Sequence, residues 1–334
     1  MISTDIPLVE LHRHLDGSTR LETILDLGLR YNLPLPAKTL EEMRPYVQVS
    51  TPQPGVMAFI EKFEWMTGVL VNYDACRRIA YENVEDAYRE GIDYIELRYS
   101  PWFMAEAHNL QPVGVVEAVT DGIRAAEKDY PIRVNQLGIL SRHYGPEVAM
   151  KELNAELSLA HEFAGLDLAG DEAHYPGELF REHFRRARDA GWHITVHAGE
   201  SAGPESIWQA VRELGAERIG HAVHAPEDPA LLDFLRDEGI GIECNLTSNV
   251  QTSTVADYPS HPMRLFMEKG ILATINTDDP GISAIDLHYE YEVAAPQAGL
   301  TQKMIRQAQV NALTTAFLAE EEKAVLRKKK AGRV

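Results

Sequence analysis

The chain has 334 residues, 45% of them hydrophobic, which is ample for a large buried core. Its formal net charge of −19, from 51 acidic against 32 basic side chains, gives a surface that repels phosphate backbones and argues against a nucleic-acid partner. Two cysteines, Cys76 and Cys244, exclude a disulfide framework, and no apolar run approaches a membrane span, so a soluble cytoplasmic protein is expected, with no obligate protein partner evident.

In chain order, the first apolar run is PLVELHRH at 7–14. It carries His12 and His14 on alternate positions, and a strand's period of two points both imidazoles to one side. Two neutral imidazoles converging on one point make half of a metal site. Asp16-Gly17 follows at once and reads as a turn. Residues 38–72 carry a helical insertion after this first strand–helix unit. The second run is IDYIELRYS at 92–100, followed by a helical pattern over 113–128. IRVNQLGIL at 132–140 precedes a helix over 147–163, and LDLAG at 166–170 precedes one over 180–190. HITVHAG at 193–199 leads to a helix over 204–214, opened by proline after glycine, a good first-turn signal. RIGHAV (218–223), a helix over 228–237, GIGIECN (239–245), a helix over 262–269 and ILATINTDD (271–279) complete the alternation. Two or three further helices occupy 286–329, ending near the basic run Arg327 to Lys330, which suits a helix C-terminus.

Eight apolar runs alternating with helices predict an α/β fold, a parallel (β/α)8 barrel with extra helices after the first unit and at the C-terminus, in one domain spanning 1–334. A doubly wound sheet ranks second, because it wants a glycine-rich loop after its first strand and HLDGSTR has one glycine.

In a barrel, chemistry sits at the C-terminal ends of the strands. Here polar residues collect at five such ends: His12, His14 and Asp16; Gly170, Asp171 and Glu172; His197 and Glu200; His221; Asp278 and Asp279. Each alone is more often a structural histidine or a turn. Their recurrence at one structural place points to a metal centre. Three histidines and one aspartate suit zinc, with iron, cobalt or manganese as weaker alternatives. In many metal-dependent barrel hydrolases a modified lysine ending strand four bridges a second metal; here Leu168-Ala169-Gly170-Asp171 offers none, so one metal is expected. Such a metal activates water, lowering its pKa from about 15.7 to about 7. Glu200, His221 and Asp279 would then handle protons and orient. The paired-cysteine zinc deaminases that edit nucleic acid are excluded, since Cys76 and Cys244 form no C-x-x-C. The residues alone imply hydrolysis at a polarised carbon, without saying which.

At these positions the chain resembles the adenosine deaminase family, in its bacterial form, within the metal-dependent amidohydrolases. The resemblance rests on HRHLDG, LDLAGDE (166–172), HAGE (197–200), RIGH (218–221), LTSN (246–249) and INTDDPG, and spans nearly the whole chain. It implies zinc-dependent hydrolysis of adenosine and 2′-deoxyadenosine to inosine, deoxyinosine and ammonia, a purine-salvage reaction. It implies one zinc ion held by His12, His14, His197 and Asp278. Glu200 would protonate the purine at N1, and burial should raise its pKa. His221 would hold and deprotonate the attacking water. Asp279 would bind that water and the N7 side of the ring. The Gly170 N–H would meet N3, while Asp16 and His14 would face the ribose 5′ hydroxyl. In an extended strand end, Asp278 and Asp279 would point opposite ways. The chain departs from the family pattern at Ala222, where glycine is expected after His221, and at Asn245, where cysteine is expected; Cys244 lies one position earlier, and His224 is also unusual. A deaminase of adenine base or of a modified nucleoside, and an inactive nucleoside-binding barrel, are the competing readings.

Overall fold

The computed structural model describes residues 2–331. Eight strands, all parallel, follow one another around a single sheet in sequence order. They are β1 (Val9–His14), β2 (Tyr94–Tyr99), β3 (Arg133–Ser141), β4 (Phe163–Ala169), β5 (His193–Ala198), β6 (Arg218–His221), β7 (Gly241–Cys244) and β8 (Leu272–Ile275). Nearly every strand residue is buried, as expected where helices cover the outer face and side chains fill the interior. The sheet closes beyond the end of β8. There His14 N–H donates to the Asp278 carbonyl at 2.8 Å, and Asp278 N–H donates to the His12 carbonyl at 2.9 Å.

The helices follow the predicted alternation with local differences. The segment expected as one helix over 147–163 is a helix only over Pro146–Leu157. A 3₁₀ turn at Ala160–Glu162 then feeds Phe163 into β4. The stretch 204–214 is α-helical to Gln209 and π-helical over Ala210–Leu214. The longer helix Tyr73–Arg89, which the sequence pattern does not single out, starts at the Asn72 cap, whose Oδ1 accepts from Ala75 N–H at 3.0 Å. It packs closely on the helix Pro112–Asp129, where a Cβ on Gly122 would lie 2.3 Å from the Arg77 carbonyl oxygen. Only glycine permits that approach.

Two groups of helices stand outside the eight-fold alternation, as predicted. Leu40–Val47, Val56–Ile60 and Glu64–Gly68 form the insertion after the first unit. The C-terminal group includes Gln302–Thr315, which packs beneath β1 and β8, and Glu320–Ala331. In the last turn of the latter, Lys330 pairs with Asp93 at 2.7 Å and Lys329 donates to the Pro131 carbonyl, so this basic run is engaged locally. Among the described residues no helix is long and apolar enough to cross a membrane.

Candidate metal centre and active site

The strands carry the polar residues to one end of the barrel, where they gather around one pocket. His14, Asp16, Gly170, His197, Glu200, His221, Asp278 and Asp279 all line it, and His12 lies just beneath. Of the strand-end residues singled out in the sequence, these nine share one assembly, whereas Asp171 turns away to pair with His174 and Glu172 binds the loop backbone beside the pocket. Phe59, Ile60 and Phe63 from the insertion, with Phe103, form an apolar wall on one side of the pocket. An apolar concavity with a few convergent polar groups is the usual form of a small-molecule site.

At the base, His12 Nε2 lies 3.1 Å from His197 Nε2 and 3.3 Å from His14 Nε2; His14 and His197 are also 3.3 Å apart. Asp278 Oδ1 lies 3.1 Å from His12 Nε2 and 3.2 Å from His14 Nε2. His14 Nε2–H can serve Asp278, but two further imidazole nitrogens converge on the same point. His12 Nδ1–H donates to Glu243 at 2.7 Å and His197 Nδ1–H donates to Asp167 at 2.9 Å. Both imidazoles, when neutral, therefore turn bare Nε2 lone pairs toward each other. Buried facing lone pairs call for a cation between them. Three imidazole nitrogens and a carboxylate oxygen gathered this closely leave room for one ion within ordinary bonding reach of about 2.0–2.2 Å. The donor set thus fits a metal ion.

The local electrostatics agree. Burial opposes charge on His14, but Asp279 and Asp278 outweigh it and raise its pKa to about 9. Burial keeps His197 neutral, its pKa brought down to about 3 despite Asp167. Asp278 resists burial through His12 and His14 and stays well below the usual carboxylate range. Its neighbour Asp279 is pushed well above that range by burial and by Asp278. The backbone here is not the extended strand expected. β8 ends at Ile275, and Asp278 takes φ +64°, a left-handed conformation that separates the two carboxylates.

Beneath the donors lies a buried ionic network. Arg98 on β2 donates to Asp167 at 2.8 Å and to Glu243 at 2.9 Å, joining the two carboxylates that orient His197 and His12. Arg218 joins Glu243 to Glu96. Such outer partners fix the tautomer and direction of the ligands above them. The sequence signal was faint: Glu96 and Arg98 sit at period two inside a strand that should be apolar on both faces.

Glu200 occupies the pocket wall. Burial, then Asp278, then Glu172 raise its pKa to about 8, so it carries a proton at neutral pH. Glu172, at the end of β4, fixes the backbone around it. Its carboxylate accepts from four successive N–H groups: Gly199 at 2.6 Å, Glu200 at 3.0 Å, Ser201 at 2.8 Å and Ala202 at 3.1 Å. Asp16 accepts from Ser100 N–H through Oδ2 at 3.1 Å, while its Oδ1, 3.9 Å from His14 Nδ1, has like Asp279 Oδ1 no hydrogen-bond partner among the described residues. Gly17 is glycine for a steric reason, since a Cβ there would fall 1.8 Å from Asp279 Oδ1. His221 sits opposite with φ +69°, its Nε2 3.8 Å from Asp278 Oδ2 and its Nδ1 turned toward Asn249. Ala222 follows at φ +51°, a conformation that costs an alanine about 1 kcal/mol and explains why glycine is expected there.

An eight-stranded parallel barrel with a histidine–carboxylate donor set at the C-terminal ends of its strands defines the amidohydrolase class of fold. A structure of an amidohydrolase from Burkholderia ambifaria with bound zinc superposes with TM-score 0.88 at 26% identity, covering 99% of this chain and 91% of that one. Adenine deaminase from Arthrobacter aurescens shares the fold at TM-score 0.90 and 23% identity, covering 98% of both chains. The N6-methyl-AMP deaminase of Arabidopsis thaliana matches at TM-score 0.82 and 26% identity, covering 98% of this chain and 97% of that one. The adenosine deaminase family model matches residues 7–331. Adenosine deaminase of Escherichia coli O1:K1 is 56% identical over 333 residues, covering 100% of both chains. The chain belongs to the adenosine deaminase family.

Proposed function

We propose that this protein is an adenosine deaminase, hydrolysing adenosine and 2′-deoxyadenosine to inosine, deoxyinosine and ammonia. It would act as a soluble cytoplasmic enzyme of purine salvage on free nucleosides. The observation that carries this reading is the buried Glu200, its pKa raised by burial, beside the four-donor cluster. His12, His14, His197 and Asp278 would hold one zinc ion. Zinc would supply the Lewis acidity that makes water nucleophilic at neutral pH.

The chain's own residues account for the rest. Attack at C6 of a purine breaks ring conjugation and loads negative charge onto N1. Glu200 delivers its proton there as the charge forms, so its stabilisation belongs to the transition state. Glu172 keeps Glu200 at that position through the loop backbone. His221 and Asp279 orient the attacking water from two sides, and Asp279 reaches the N7 side of the ring. The Gly170 N–H meets N3; with φ +104°, and with His143 Nδ1 2.5 Å from where a Cβ would sit, that position accepts only glycine. The free Oδ1 of Asp16, with His14, faces the ribose 5′ hydroxyl. The apolar wall excludes bulk water.

The test is a substrate panel on zinc-loaded protein: adenosine, deoxyadenosine, adenine and N6-methyl-AMP. Adenosine and deoxyadenosine should turn over fastest. Glu200→Gln should retain zinc and lose roughly 10²–10⁴-fold in kcat. No turnover of adenosine, or full activity in Glu200→Gln, overturns the proposal.

A further inference from the structure

Three residues outside the predicted site, all buried, form a chain of hydrogen bonds with only one consistent direction. The Met263 backbone N–H donates to His261 Nδ1 at 3.1 Å. A backbone N–H can only donate, so His261 Nδ1 carries no proton. Burial brings the His261 pKa down to about 3, so the ring is neutral and its one proton sits on Nε2. That N–H faces Asn249 Oδ1 at 3.2 Å, which fixes the orientation of the amide. The Asn249 NH₂ must then point the other way. One of its hydrogens goes to Thr254 Oγ1 at 3.1 Å, and the other to His221 Nδ1 at 3.0 Å. Thr254 agrees with this, since its hydroxyl hydrogen is used on the Asn249 carbonyl and its oxygen is free to accept. A second amide, Asn245 Nδ2, approaches the same His221 Nδ1 at 3.3 Å.

We propose that Asn249 and His261 are positioning residues that fix His221 as its Nε2–H tautomer, so that it holds the attacking water by donating a hydrogen bond. The statement rests on the deaminase reading for the identity of the reaction, but not for the tautomer. Every link derives from one peptide N–H. Reversing the chain would put an N–H against the Met263 N–H and an NH₂ against a ring N–H. Asn245, a departure from the family pattern, reinforces the same direction by placing a second donor on Nδ1. Of the two tasks the resemblance assigns to His221, this geometry supports holding the water.

Long-range ¹H–¹⁵N spectra of zinc-loaded protein with ¹⁵N-labelled histidine test it, with His221 assigned by His221→Gln. The expected result is a protonated Nε2 and a bare Nδ1 on His221. A proton on Nδ1 overturns the proposal outright. Asn249→Asp keeps the side-chain shape and, studied above the pH at which the new carboxyl ionises, can only accept, so it should move the proton to Nδ1. It should also cut kcat by about 100-fold, with KM and zinc content near those of the parent. An unmoved proton in Asn249→Asp, or an unmoved kcat, shows that the relay does not set His221. Should that variant fail to fold, the parent spectrum decides alone. Failure of the deaminase reading would appear as absent adenosine turnover in the parent protein, with the spectrum unaffected.

Discussion

Replacing Glu172 with glutamine separates the role of the loop scaffold from that of the acid it carries. In the native protein one carboxylate accepts four backbone N–H groups, at 2.6 to 3.1 Å, from the residues on both sides of Glu200. Hydrogen bonds to a charged acceptor contribute about 1.5–3 kcal/mol each, against about 0.5–1.5 for neutral ones. Glutamine leaves one oxygen. If that oxygen serves the three N–H groups now on Oε2, each bond weakens and Gly199 N–H faces an amide hydrogen. The local cost is about 3 kcal/mol. If that energy holds Glu200 against N1, kcat falls by about 100-fold. A second effect has a definite sign. Glu200 must be protonated to act, so activity falls as pH rises through its pKa, raised to about 8 by burial, by Asp278 and by Glu172. Removing the Glu172 charge lowers that pKa, and the alkaline fall in kcat/KM should move to lower pH. The assay is steady-state deamination across pH, with zinc content and thermal unfolding measured on the same samples. A folded, zinc-replete Glu172→Gln enzyme with native kcat and an unmoved alkaline limb would refute the reasoning.

Arg98→Lys keeps the charge but cannot hold Asp167 and Glu243 in one fork, so zinc affinity should drop about 10–100-fold in competition with a chromophoric chelator. Native affinity would show that the two carboxylates hold His12 and His197 unaided. Asp16→Ala should slow deamination of adenosine more than that of adenine, because only the nucleoside has a 5′ hydroxyl for the free Oδ1; equal losses would reduce Asp16-Gly17 to a turn. Ala222→Gly relieves a left-handed alanine and should stabilise the fold by up to about 1 kcal/mol in thermal unfolding, and a lower Tm would count against strain at that residue.

The barrel was legible because buried parallel strands read as apolar runs, and eight of them alternate with helical patterns. The candidate site was legible because its residues sit at the ends of those runs, so one structural rule gathers them. What lay hidden depends on distance in sequence. Nothing near Glu172 marks it as an acceptor for the 199–202 backbone, and nothing near His261 points to His221. Arg98 and Glu243 look like surface charges until the closed barrel turns them inward. The apolar pattern before β4 predicts a helix longer than the one that forms, because Phe163 continues that pattern but belongs to the strand. The left-handed backbone at Asp278 and Ala222 carries no glycine to announce it.

The seam between β8 and β1 has a consequence for how the molecule comes into being. Two candidate ligands stand on the first strand, and a third lies near the start of the last one's loop, locked to them by His14 N–H to Asp278 and Asp278 N–H to His12. During synthesis three imidazoles emerge well before the aspartate that completes the set. Full coordination of a bound ion and the meeting of the first and last strands would therefore be a single late event. An ion that binds only the joined state draws the equilibrium toward it. In this molecule the cofactor would act as a latch on the barrel as well as a reagent within it.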